Sequence, residues 1–242
     1  MLPMRLGMIN ASGPQDLIVY LLTRNGRVES SNYRTVKLPA NVDLPLFVRG
    51  DLSRFYKSMF AQQAQREDHR AVFTEYFWDM AWCDPCAADP LSAKELRELG
   101  VFWLDGAEPD AAAAAPAATP QLMPRRPAGA APVKLTRLHL RYTSDSFPED
   151  LMFNETRDRA NFQVRYVLRH PYATSPGACD AAPGYLAALA RRREREAQTL
   201  SNLTGWDIAA VRTRAGLGVP DDGGTGQPWW RRLWPSASGE RG

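Results

Sequence analysis

Long apolar runs are missing from this chain. No stretch approaches the roughly 20 consecutive apolar residues that a helix needs to cross a bilayer, so a helical membrane span is excluded. Met1 to Ser12 contains Arg5 but no continuous apolar core, so it does not read as a secretory leader. Lysine is scarce, only Lys37, Lys57, Lys94 and Lys134, and the basic charge is almost all arginine. Net charge is only +3 over 242 residues, too small for a nucleic-acid footprint. There is no P-loop, no dinucleotide fingerprint, no His-Glu-x-x-His and no serine nucleophile elbow, which removes the commonest nucleotide, zinc-protease and hydrolase chemistries. Histidine is limited to His69, His139 and His170, and cysteine to Cys83, Cys86 and Cys179. These features alone favour the cytoplasm. The first confident strand nevertheless starts near Asp16, as though upstream strands were absent.

What remains is ordinary globular material. The chain is 44% hydrophobic and 24% charged, enough to bury a core. The pattern predicts an α+β fold: a largely antiparallel sheet with a few packed helices, interrupted by a disordered Ala/Pro-rich segment. Asp16 to Thr23 is apolar on both faces and predicts a central strand. Asn25-Gly26 then predicts a hairpin into Arg27 to Leu38, because both residues tolerate positive φ. A short strand is expected at Leu44 to Val48, and a helix capped by Asp51 runs toward Gln65. Arg70 to Trp82 reads as an aromatic strand. Ser92 and Glu95 form a capping box for a short helix that Gly100 stops, and Val101 to Leu104 reads as extended. Val133 to Thr143 and Asn161 to His170 alternate as strands. Pro183 to Thr204 is the clearest helix, with Leu186, Leu189, Ala197, Leu200 and Leu203 on one stripe, and Trp206 to Arg214 can form a second. The organisation that follows is a first α+β segment at 1–104, a flexible linker or insertion at 105–132, a second segment at 133–215 that belongs with the first, and a disordered tail at 216–242.

One motif carries chemistry, Trp82-Cys83-Asp84-Pro85-Cys86. Two cysteines two residues apart can close a static disulfide ring or expose a reactive thiolate. In a thiol–disulfide oxidoreductase the pair would run directly into a helix that lowers the first thiol's pKa. Here Ala87-Ala88-Asp89-Pro90 intervenes, and Asp84 and Asp89 oppose a thiolate. A static disulfide involving Cys83 and Cys86, with Cys179 as a further partner, is therefore the leading reading, and a redox pair the alternative. A zinc site would need His139 or His170 as fourth ligand, and the second close-spaced ligand pair of structural zinc sites is missing. No metal and no cofactor is predicted.

Arg137, His139 and Arg141 alternate with apolar residues on one strand, and Arg165 and Arg169 do so on another. If the strands paired, the five would form one basic face for an anionic ligand. Glu149, Asp150, Glu155 and Asp158, between the strands, are the expected neutralising acids. The Arg191 to Glu196 run reads as a solvated helix face with an i,i+4 pair between Arg192 and Glu196. Trp229, Trp230 and Trp234, interleaved with arginines, suit weak contact with a membrane interface.

Four blocks carry a family resemblance. Phe73 to Leu104 (FTEYFWDMAWCDPCAADPLSAKELRELGVFWL) closely resembles the bacterial family designated domain of unknown function 2330. Gln15 to Pro39, Leu135 to His170 and Ala188 to Asp207 support it. The resemblance implies the C-terminal portion of a typical member, exported to the periplasm or cell envelope, where oxidising conditions favour a disulfide. It implies no reaction, cofactor, partner or catalytic residue. The functional expectation is an envelope-associated binding or structural protein, not an enzyme.

Overall fold

Strand alternation decides how the sheet is sided. In Lys134–Tyr142 (β6 below), Leu138 and Leu140 are fully buried and Tyr142 is 6% exposed, while Arg137 and Arg141 are only partly buried. The computed structural model describes residues 1–81, 91–104 and 131–217, and within them the fold is α+β. The helices are α1 (Met4–Met8), α2 (Leu52–Arg66), α3 (Ala93–Glu98), α4 (Ala182–Thr204) and α5 (Ile208–Arg214). The strands are β1 (Gln15–Thr23), β2 (Val28–Ser30), β3 (Arg34–Lys37), β4 (Val42–Leu44), β5 (Ala71–Asp79), β6 (Lys134–Tyr142), β7 (Phe153–Glu155), β8 (Phe162–Gln163) and β9 (Tyr166–Leu168). Four strand pairings are antiparallel and two, β3–β5 and β4–β9, are parallel. Two compact units result, one from Met1–Leu38 with Glu67–Val164, the other from Pro39–Arg66 with the chain from Arg165 onward.

In the first unit the strands run β1-β6-β5-β3, with β8 also on β5. One core cluster gathers Met4, Val72, Leu138, Leu140, Tyr142, Phe147 and Leu151, with Leu17 and Leu21 of β1 packed against it. Each fully buried leucine of this kind contributes about 1.5–3 kcal/mol through area removed from water. A second cluster joins Met80, Leu96, Val101 and Val133, which seats α3 through Leu96. The capping box of α3 forms as its sequence requires: the Ser92 side chain accepts from the Glu95 N–H, and the Glu95 carboxylate accepts from the Ser92 N–H at 2.8 Å.

The expected Asn25-Gly26 hairpin does not form. β1 pairs with β6 and β2 with β7, and neither Asn25 nor Gly26 has positive φ. The dipeptide is instead folded onto the 155–158 segment. The Glu155 carboxylate accepts from both backbone N–H groups, at 2.6 and 3.3 Å. A Cβ on Gly26 would lie 2.4 Å from the Thr156 carbonyl oxygen and 2.7 Å from that of Asp158. β1 is likewise a terminal strand of this sheet and not a central one: Ile18 is 43% and Tyr20 60% exposed. Its apolar outer face misled the two-sided expectation.

In the second unit, α4 packs against α2, α5 and β4. Of the predicted stripe, Leu189, Ala197, Leu200 and Leu203 are buried and Leu186 is half-buried. Gly205 takes φ +70° and lets its N–H bond back to Ser201 O, ending α4 in a left-handed turn. Asp207 then caps α5 by accepting from the Ala210 N–H at 2.8 Å. The Asp51 carboxylate accepts from the Arg54 N–H at 3.3 Å at the start of α2.

Three further expectations are corrected. Residues 46–51 form a 3-10 helix after the short strand β4, and Phe102–Leu104 is another 3-10 turn, not extended. The run Asn161 to His170 is not one strand. The Val164 N–H bonds to Glu75 O, whereas Arg165 O accepts from the Asn41 N–H, so successive residues turn to different partners.

Candidate functional site

The arginine run of α4 supplies the site. At helical spacing Arg192, Arg193 and Glu196 share a side of α4. In the second unit they meet Pro45, Leu46 and Phe47, which follow β4, and Arg169, His170 and Pro171, which follow β9. Arg214 and Ala215, at the end of α5, complete the lining of a 330 Å³ cavity. Four arginines and one glutamate thus share the lining.

The charges are held in place. Arg169 Nε donates to Asp43 Oδ1 at 2.8 Å, between exposed side chains of the paired strands β4 and β9. Arg192 Nε lies 3.3 Å from Glu196 Oε1, the i,i+4 pair expected from sequence. The Arg214 guanidinium sits over the Phe47 ring, 4.6 Å from its centroid. Bonds from Arg212 to the Glu194 carboxylate tie α5 to α4 behind the cavity, two of them at 3.1 Å. Glu196 is 6% exposed, so the run is not a wholly solvated face as its composition suggested. Burial pushes the Glu196 carboxyl above the ordinary carboxylate range, Arg192 opposes that shift, and Asp43 adds to it. Burial likewise lowers the Arg193 guanidinium from its usual value.

The strand pairing that one basic face of the five residues required is not found among the described strands. β6 pairs with β1 and β5, and β9 with β4, so the two arginine-bearing strands are not partners. In the first unit, Glu75 is the extra residue of a bulge in β5 between Thr74 and Tyr76, which re-aims its side chain. Its carboxylate meets His139 Nδ1 at 2.7 Å and Arg137 Nε at 2.8 Å. Arg137 also lies over the Tyr20 ring, 5.5 Å from its centroid. Arg141 makes a bidentate pair with Asp16, at 2.7 and 2.8 Å, across the β1–β6 register. The acids facing these basic groups therefore come from neighbouring strands, where registered side chains oppose one another, and not from Glu149, Asp150, Glu155 or Asp158. Asp158 pairs with Arg27, while Glu155 serves the 25–26 backbone. Arg165 Nε donates to Asn41 Oδ1 at 2.6 Å. A smaller cavity of 270 Å³ in the first unit includes Asp68, Arg70, Arg141 and Asp145, with balanced charge.

Of the predicted basic residues, Arg169 alone lines the arginine cavity, joined by His170 from the alternative zinc reading. Arg192, Arg193, Arg214 and Phe47 were not anticipated as a site; the only signal was the density of arginine at 191–195. Cys179 is free and exposed. Cys83, Cys86, the segment 105–130 and Trp229, Trp230 and Trp234 lie outside the described residues. No helix among the described residues is long and apolar enough to cross a membrane.

Neither the curated proteins nor the solved structures contain a match to this chain. A family model, uncharacterized protein conserved in bacteria (DUF2330), matches residues 1–154, the N-terminal side of the chain and not its C-terminal part. That span contains the Gln15 to Pro39 and Phe73 to Leu104 blocks whole, and it covers well over half of the sequence: the chain belongs to the DUF2330 family.

Proposed function

We propose that this protein is a non-enzymatic binding protein of the bacterial envelope that holds a small anionic ligand in the arginine cavity of its second unit. One observation carries the reading: four arginines and a histidine converge on a 330 Å³ cavity that contains a single carboxylate. Guanidinium is the cation suited to this role, since its planar donor fork matches carboxylate, sulfonate and phosphate oxygens. The low dielectric around partly buried arginines strengthens such contacts relative to water. In the first unit Arg137, His139 and Arg141 already face Glu75 and Asp16. The envelope placement rests on what the family resemblance implies. With it goes a static disulfide involving Cys83 and Cys86, which the oxidising conditions implied by that resemblance favour.

Two experiments test this. Isothermal titration with sulfate, phosphate, acetate and benzenesulfonate is expected to find at least one that binds below about 1 mM, and Arg192→Gln/Arg193→Gln is expected to weaken it at least tenfold, since each lost charge-assisted bond contributes about 1.5–3 kcal/mol. No binding of any of the four at 10-fold higher concentration, about 10 mM, refutes the site. Thiol mapping of exported protein is expected to find Cys83 and Cys86 bonded and resistant to glutathione buffers down to about −300 mV. Reversible opening between about −120 and −270 mV would instead make the pair an oxidoreductase centre.

A further inference from the structure

Building on the anion-binding reading, we infer that the cavity selects an amphiphilic organic acid: one acidic head on the α4 arginines and a planar or apolar body against Phe47. The lining divides chemically. Pro45, Leu46, Phe47, Pro171 and Ala215 are apolar, the first three as one run after β4, while Arg169, His170 and Arg214 flank Pro171 and Ala215. Arg192 and Arg193 come from α4. A site for a bare inorganic oxyanion would surround it with donors on all sides and would have no use for an apolar wall. At 330 Å³ the cavity also lies at the small-molecule end of the roughly 300–1,000 Å³ range of organic ligand sites.

Charge and stacking narrow the class further. Two of the four arginines already have a carboxylate beside them, Arg169 with Asp43 and Arg192 with Glu196. That balance suits a single acidic head better than a polyphosphate. Arg214 is exposed, with its guanidinium carbon 4.6 Å from the Phe47 ring centroid. A flat ligand ring packed against Phe47 would join this cation–π pair.

The test compares three probes whose charge does not change near neutral pH: benzenesulfonate, methanesulfonate and sulfate, titrated calorimetrically into the full chain. Benzenesulfonate is expected to bind at least about tenfold tighter than the other two, the scale set by burying one phenyl face. Phe47→Leu, which keeps an apolar side chain, and Arg214→Gln, on an exposed position, are each expected to reduce that preference, read as the ratio of benzenesulfonate to methanesulfonate affinity, to within about threefold. Circular dichroism confirms that both variants fold. If sulfate or methanesulfonate binds as tightly as benzenesulfonate, or if the preference survives both substitutions, the amphiphilic inference is overturned and the anion site stands. If none of the three binds, the amphiphilic inference fails, and phosphate and acetate decide whether the anion site stands.

Discussion

Gly26 tests the account of the first unit most sharply. It is buried, its φ is not positive, and an added Cβ would sit 2.4 Å from Thr156 O and 2.7 Å from Asp158 O. Neither oxygen belongs to a flexible side chain. Asp158 O accepts from the Arg27 N–H at 2.9 Å, and the Thr156 N–H donates to Arg27 O at 2.8 Å, so the two segments are laced together on both sides of the clash. The adjoining Arg27 side chain, 9% exposed, is held by Glu29 at 2.6 Å and Asp158 at 2.7 Å. Relieving the overlap requires one segment to move by about half an ångström or more, which costs about 1–3 kcal/mol as overpacking. Weakening two backbone bonds adds about 1 kcal/mol each at most. Gly26→Ala is therefore expected to cost about 3 kcal/mol in urea unfolding followed by far- and near-ultraviolet dichroism. For a chain of this size that corresponds to a fall in Tm of about 6–12 °C. Two controls isolate the cause. Gly184, in the first turn of α4, has open space where its Cβ would be, and Gly184→Ala is expected to stabilise by about 0.5 kcal/mol through helix propensity. Asn25→Ala is expected to change stability by less than about 0.5 kcal/mol, since Asn25 is exposed and not left-handed. A Gly26→Ala cost below about 0.5 kcal/mol would refute the close-packing argument. A large cost shared equally by Asn25→Ala would restore a type I′ turn.

Other expectations follow from the charged groups and caps. The Glu196 carboxyl is raised by burial above its ordinary value of 4.5, so it binds a proton more readily when folded. Its contribution to stability is full below about pH 4.5 and is lost as pH rises through the raised folded value. Glu196→Gln should therefore gain on the parent protein at neutral pH and converge with it near pH 4; an advantage that grows on acidification contradicts burial as the cause. Asp16 is shifted the other way, below 3.8, chiefly by its hydrogen bond from Arg141, so its stabilisation is present above that value and disappears as pH falls through the lowered one. Both partners are partly exposed, so a double-mutant cycle of Asp16→Asn with Arg141→Gln should give about 0.5–1 kcal/mol at pH 7 and progressively less as pH falls below 3.8. Ser92→Ala removes the acceptor for the Glu95 N–H and should cost about 1 kcal/mol, read by faster hydrogen exchange in α3 if that helix opens locally.

Local rules explain why some parts were readable. The capping box at Ser92 and Glu95, the buried stripe of α4, the left-handed Gly205 and the alternation of β6 follow from interactions within a few residues of one another. Hydrogen-bond geometry and side-chain period fix them before any long-range partner is chosen. The misreadings arose where a partner distant in sequence decided the outcome. Asn25-Gly26 meets every local requirement of a hairpin turn, yet β1 and β2 go to β6 and β7, more than a hundred residues away. Asn161 to His170 alternates as a single strand, but its backbone is divided between Glu75 and Asn41.

The candidate site shows the same division. Sequence determined the cations: arginine-rich, nearly lysine-free composition, a dense run at 191–195, and the Arg192–Glu196 pair that helical spacing requires. It also determined the family and the α+β class. Only the tertiary structure decided which arginines act together. Arg137 and Arg141 are met across the sheet by Glu75 and Asp16, while Arg169, Arg192, Arg193 and Arg214 are drawn around one cavity with Phe47. The physical reason is that a charge is fixed by its residue type, but its compensation depends on what stands within a few ångströms. That neighbourhood is set by strand register and helix packing, which no local pattern encodes.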